Sequence, residues 1–294
     1  MDLQGYRYRV PRVRRGAGGF MFWKRWTNRL LYWPATRDRD EDYGRREHYV
    51  SLVAADGTVL RGWFYPRGKD VPLIVGYPGK TTNVGCCLPL VEQDTQHSYL
   101  LLNYRGSGGS GGVPTESALV ADAVMALDWA REQMGGYSEL WVMGYSLGSG
   151  IAVQMAARAA ADRLVLLCPY DKMVHTAADV ARLAAVEFMR RRFPRFPLRA
   201  VPAFLCGWMA RLCLADTYDS ARYAPLVRCP VHVYICDGDR VVLPRRSLAL
   251  VRRFTRAPVV QVEHMPCGHV EILWRADWRQ SMLRYIFGPA PGSS

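Results

Sequence analysis

Residues 140–148 read Leu-Trp-Val-Met-Gly-Tyr-Ser-Leu-Gly, and no other stretch restricts the possible folds as tightly. An apolar run of strand length ends in G-x-S-x-G and leads directly into Ser149–Ala160, a stretch compatible with a helix. At such a strand-turn-helix junction, Gly144 and Gly148, the outer positions of the motif, must be small because a Cβ there would meet neighbouring backbone. The turn lifts the Ser146 hydroxyl to the top of a sheet, and the helix N-terminus beneath favours developing negative charge. The spacing alone arises by chance in many chains; in this setting it singles out Ser146 as a nucleophile.

The rest of the chain supplies the sheet that this turn needs. Segments near 48–54 and 58–65 alternate polar and apolar residues on either side of Asp56-Gly57, the pattern of an antiparallel hairpin. Short apolar runs follow at 72–76, 99–103, 140–144, 163–167 and 231–235, of the kind buried on both faces of a parallel sheet. Helical stretches lie between them; near 116–133, Leu119, Ala123, Ala126, Leu127 and Ala130 form one apolar stripe. This alternation predicts an α/β fold, a mostly parallel doubly wound sheet opened by an antiparallel hairpin, with functional groups at the carboxyl ends of its strands. Residues 172–225 interrupt it. They hold Pro194, Pro197, Pro202 and the run Arg190-Arg191-Arg192 among several aromatics, and read as a helical cap insertion. The run 106–112 is a glycine-rich loop whose following helix starts only beyond Pro114, with no acid placed for a ribose, which argues against dinucleotide binding.

A serine hydroxyl needs a base, and the base a carboxylate. The apolar run 231–235 leads into Cys236-Asp237-Gly238-Asp239, and Glu263-His264-Met265-Pro266-Cys267-Gly268-His269 offers two histidines in a loop before a final helix. Order along the chain is therefore Ser, Asp, His, with two candidates for each partner.

Together with Asn103-Tyr104-Arg105-Gly106, Pro114-Thr115-Glu116, Asp122 and Cys168-Pro169-Tyr170-Asp171, these motifs make residues 48–287 resemble the α/β-hydrolase superfamily. Within it the resemblance is to membrane-associated serine hydrolases such as protein depalmitoylases. It implies Ser146 as nucleophile, His269 as base and Asp239 as acid, leaving Asp237 to cap a loop and His264 to a structural role. It also implies an oxyanion hole from the backbone N–H groups of Leu147 and Lys80, although Pro78-Gly79 stands where the family usually carries His-Gly. Gly79 and Tyr145 are the substrate-side residues of this arrangement, and Arg105 is structural in the family. The implied activity is cleavage of carboxylic esters or thioesters with a hydrophobic acyl group, through an acyl-enzyme and without metal or organic cofactor.

Charge distribution tests other classes. The formal net charge of +13 is concentrated in two blocks, residues 1–37 with nine basic side chains against Asp2, and 172–211 with eight against Asp179 and Glu187. Nucleic acid, anionic lipid or an anionic ligand would suit such a distribution, but no nucleic-acid-binding motif accompanies it. The predominance of arginine over lysine has a second reading in genomic base composition. The segment 20–33 mixes large aromatics with positive charge, as an interfacial helix does; packing on the protein's own body is the other reading. The eight cysteines show no zinc-ligand spacing. The N-terminus lacks a signal-peptide pattern, so reduced thiols and a cytoplasmic location, with peripheral membrane contact through the arm, are the expectation. Three regions result: a basic aromatic arm over 1–45, the main domain over 46–288 with the cap at 172–225, and a C-terminal tail over 289–294. A catalytically silent fold carrying a lipid or other ligand is the competing reading of the same motifs.

Overall fold

The computed structural model describes residues 31–32, 39–80, 82–192 and 200–273. Most of the expected N-terminal arm, and the C-terminal tail, lie outside them. Asp56-Gly57 makes the turn that the flanking alternation requires: Gly57 takes φ +80° and the Asp56 carboxylate accepts the Thr58 N–H at 3.1 Å. It joins β1 (Tyr49–Val53) to β2 (Val59–Tyr65) in antiparallel register, with Leu52 opposite Leu60. β2 pairs antiparallel with β4 (Ser98–Leu102), and every later pairing is parallel. With β3 (Leu73–Tyr77), β5 (Leu140–Tyr145), β6 (Arg163–Leu167), β7 (Val231–Cys236) and β8 (Val260–Met265), the sheet order is β1-β2-β4-β3-β5-β6-β7-β8. Chain direction across the sheet reverses between β3 and β5, so the loops leaving these two strands open side by side at the carboxyl edge.

Period-two alternation divides the central strands between two cores. Leu73, Val75, Val142, Leu164 and Val233 face one side, and Ile74, Trp141, Val165 and Tyr234 the other, all buried. A short helix, α1 (Leu88–Gln93), precedes β4. The predicted stripe lies on α2 (Glu116–Met134), where all five of its residues are buried; Thr115 caps the N-terminus through the Ala118 N–H at 3.2 Å, and Gly135 at φ 68° ends the helix. Helix α3 (Leu147–Arg158) starts immediately after Ser146 and is buried along nearly its whole length.

The interruption after β6 is helical, as expected: α4 (Met173–Arg192), α5 (Ala200–Cys213) and α6 (Ser220–Tyr223). α4 and α5 lie against each other closely enough that a Cβ on Gly207 would come within 2.4 Å of Arg182 Nε. Asp179 anchors α4 to α7 (Pro244–Val251), accepting from Arg245 at 2.7 Å and Arg246 at 2.6 Å. The sequence reading differs from the structure at Glu263–Met265, which lie on β8 rather than in a loop. This edge strand leaves Gln261 and His264 exposed, so polar side chains interrupt the apolar run that marks the inner strands. Among the described residues no helix is long and apolar enough to cross a membrane.

Candidate active site

Packing explains why the turn after β5 carries small residues. A Cβ at Gly144 would lie 2.6 Å from the Gly148 carbonyl oxygen, and one at Gly148 would lie 2.1 Å from that of Tyr77. Glycine at both positions lets the backbone pass this closely, and between them Ser146 takes φ 50°, in a region that a residue with a side chain rarely adopts. The strained turn is tied down on both sides. Ser146 N–H donates to Leu167 O at 2.9 Å, and Ser149 Oγ donates to Ser146 O at 2.7 Å.

Asp239 follows β7 and is 3% exposed. Its Oδ1 accepts the N–H groups of Val241 and Val242, both at 2.8 Å, which leaves Oδ2 aimed at His269 Nδ1 at 2.6 Å. Across the ring, His269 Nε2 lies 2.8 Å from Ser146 Oγ. A carboxylate can only accept, so Nδ1 carries the proton and Nε2 offers its lone pair to the serine hydroxyl. The loop bearing His269 is fixed by Gly238 N–H to Cys267 O at 3.0 Å and by Gly268 N–H to Glu271 Oε2 at 2.8 Å. The alternative acid and base, Asp237 and His264, pair with each other at 2.7 Å with about half of each side chain exposed, and take no part in this chain of contacts.

A cavity of about 750 Å³ opens above the Ser146 hydroxyl. Its floor is Ser146 and His269; its roof is Ala177 and Val180 of α4 and Met209 of α5, and its far wall includes Leu31. Tyr32, next to Leu31, donates to Asp216 at 2.6 Å and so fixes this short N-terminal segment beside the cap. Lys80, Tyr145 and Leu147 also line the cavity. Leu147 is the first residue of α3, where N–H groups lack partners within the helix. Burial pushes the Lys80 ammonium below its usual value.

Gly79 is where the loop after β3 meets the turn: a Cβ there would lie 2.7 Å from the Tyr145 ring. Tyr145 in turn donates its hydroxyl to His269 O at 3.0 Å, and its ring sits 5.3 Å from the imidazole. It thus bridges the β3 loop and the histidine loop, a contact with no signature in the sequence. Arg105 is structural, as its resemblance implied, holding Asp122 with two bonds of 2.7 Å and reaching Asp56. Its bond to Asp56, together with those from Thr58, holds the Asp56 carboxyl well below the usual range.

Three cysteines from three strand ends meet beneath the site. Cys168 Sγ lies 3.2 Å from Cys236 Sγ, and Cys267 Sγ 3.6 Å from the latter. Contact with Cys236 and burial push the Cys168 thiol far up. Among the described residues, Cys168, Asp239 and His269 are the group whose donor atoms, within 4.8 Å of one another, could hold a metal ion. The last two spend the relevant atoms on each other.

Comparison with known proteins follows the same lines. The profile of the alpha/beta hydrolase family matches residues 82–278, about two thirds of the chain. An uncharacterized protein of Mycobacterium tuberculosis is 29% identical over 207 residues, covering 69% of this chain and 65% of its own length. The chain thus spans just under two thirds of that relative. A lysophosphatidylserine lipase, ABHD12, of Xenopus tropicalis is 30% identical over 145 residues, 48% of this chain and 34% of the lipase. Among solved structures, an esterase of Pyrococcus furiosus superimposes with a TM-score of 0.64 at 16% identity, covering 86% of this chain and 96% of that one. A hydrolase from Pseudomonas aeruginosa gives 0.60 at 18% identity, over 83% and 100%.

Proposed function

Because this chain belongs to the alpha/beta hydrolase family, we propose that it is a serine hydrolase cleaving carboxylic esters or thioesters that carry a hydrophobic acyl group. One observation carries the reading: the unbroken series from Ser146 Oγ through His269 Nε2 and Nδ1 to Asp239 Oδ2, at 2.8 and 2.6 Å. His269 takes the hydroxyl proton as Ser146 Oγ attacks the acyl carbon, then returns it to the departing alcohol or thiol. Water enters by the same base and releases the acid. Asp239, with one oxygen saturated by two amides, holds the imidazole in one tautomer and orientation throughout.

The Leu147 N–H, at the start of α3, and the Lys80 N–H, from the loop facing it across the cavity, bind the oxyanion, each contributing roughly 3 kcal/mol in the transition state. Gly79 and Tyr145 border the bound carbonyl. The apolar cavity of about 750 Å³ takes the acyl chain, in the volume range usual for small-molecule sites. A lipase among the relatives is consistent with a lipid-like substrate. The test is an ester and thioester panel graded by chain length, run beside Ser146→Ala. The variant is expected to lose at least about 1,000-fold in turnover; unchanged turnover would remove the mechanism, and a ligand carrier would show no turnover to lose.

A further inference from the structure

We infer that the outer face of the α4–α5 hairpin is a docking surface for a lipid bilayer bearing anionic headgroups; it deepens the hydrolase reading, and rests on it for the delivery of substrate. α5 exposes Phe204, Leu205, Trp208, Met209 and Leu212, at 60%, 53%, 52%, 54% and 49%. Their spacing of 1, 4, 5 and 8 residues from the first makes a single helical stripe. Leu183, Val186 and Phe188 on α4 are exposed as well. A helix covering its own core buries such a stripe, whereas here the side facing α4 is the glycine side, with Gly207 against Arg182. Apolar side chains of this size gathered on one exposed face mark a surface built to be covered.

Charge selects what covers it. Arg190, Arg191 and Arg192 close α4 at the exposed end of the hairpin, and the acids of the two helices are Asp179, buried and bound to α7, and Glu187. A second copy of the chain would bring the same arginines against themselves across a two-fold axis. The chain's own N-terminal arm, nine basic residues to one acid over 1–37, would add like charge. An anionic bilayer complements both features: it takes the aromatic and aliphatic side chains at its headgroup boundary and the guanidinium groups at its charged surface. Trp208 and Phe204 are the residue types that favour that boundary. Val180 and Met209 belong at once to this exposed face and to the roof of the cavity above Ser146. An acyl chain lifted from the bilayer therefore enters a cavity whose roof shares these two residues with the docking face.

Flotation of the full chain with vesicles tests this, using phosphatidylcholine alone and phosphatidylcholine mixed with phosphatidylserine. The wild type is expected to float with the mixed vesicles. In Phe204→Ser/Trp208→Ser/Leu212→Ser the partition falls at least about tenfold. In Arg190→Glu/Arg191→Glu it falls on the mixed vesicles alone. Both variants keep wild-type turnover of a water-soluble short-chain ester, which reports an intact fold and a working site. Absence of wild-type flotation, or equal flotation of the triple variant, overturns the docking surface; so does a wild-type dimer that the triple variant dissolves, since a second copy would then occupy the face. Ester turnover left unchanged by Ser146→Ala would instead defeat the hydrolase reading while flotation stayed intact.

Discussion

Ser146 carries its hydroxyl on a backbone conformation that costs on the order of 1–3 kcal/mol, and its hydrogen bonds to Leu167 and Ser149 tie it there. Tyr145 beside it ties down the loop of His269. Its hydroxyl reaches the His269 carbonyl across 124 positions of sequence. Tyr145→Phe removes that bond and leaves the ring against Gly79, so kcat is expected to fall about 3- to 10-fold with KM little changed and stability lowered by about 1 kcal/mol. Steady-state kinetics beside denaturant unfolding separates the two effects, because a purely structural role would lower stability and leave kcat alone. Ser146, Asp239 and His269 were legible as candidates because the chemistry restricts residue type and chain order. The choice of Asp239 over Asp237 came from family resemblance, and its physical reason is the pair of amides from Val241 and Val242. Tyr145's tie was not legible, since a tyrosine bound to a distant backbone carbonyl leaves no pattern in the sequence.

Helix α4 forms the cavity roof through one buried anchor. Burial alone would raise the Asp179 carboxyl, but the guanidinium groups of Arg246 and Arg245 outweigh it and hold the group below its usual value of 3.8. A lowered folded value means that the stabilisation is complete above the unfolded value and disappears as pH falls through the folded one. Asp179→Asn is therefore expected to lose about 2–3 kcal/mol at neutral pH, less than a wholly buried pair because the Arg245 side chain is 62% exposed. Below about pH 4 its stability should approach that of the wild type. Urea unfolding across that range checks it, and parallel pH profiles for the two proteins would refute the anchor. The inner strands β3 to β7 were readable from uninterrupted apolar runs. β8 was not, because an edge strand faces solvent and its Gln261 and His264 mask the pattern. Helix α4 was legible only as an interruption of the strands, since what seats it is a pairing with α7 far along the chain.

The molecule as a whole brings together, at the carboxyl edge of β3 and β5, the Ser146 turn, the loop of Lys80 and a helical roof. Sequence alternation predicted that edge as the place of function, while the depth of the cavity followed only from how α4 and α5 close over it. Ala177→Trp puts a larger side chain into the roof of the cavity while leaving Ser146 and His269 themselves unchanged. It should shift preference toward short acyl chains, lowering kcat/KM for a dodecanoyl ester by at least about tenfold while sparing an acetyl ester; equal losses on both would contradict the cavity as the acyl site. The most direct measurement is intact-mass and peptide mapping after exposure to a fluorophosphonate. The expected result is a single phosphonyl adduct on the peptide carrying Ser146, absent from Ser146→Ala and much slower to form in His269→Ala. An unlabelled protein, or an adduct on another residue with Ser146 free, would contradict the account.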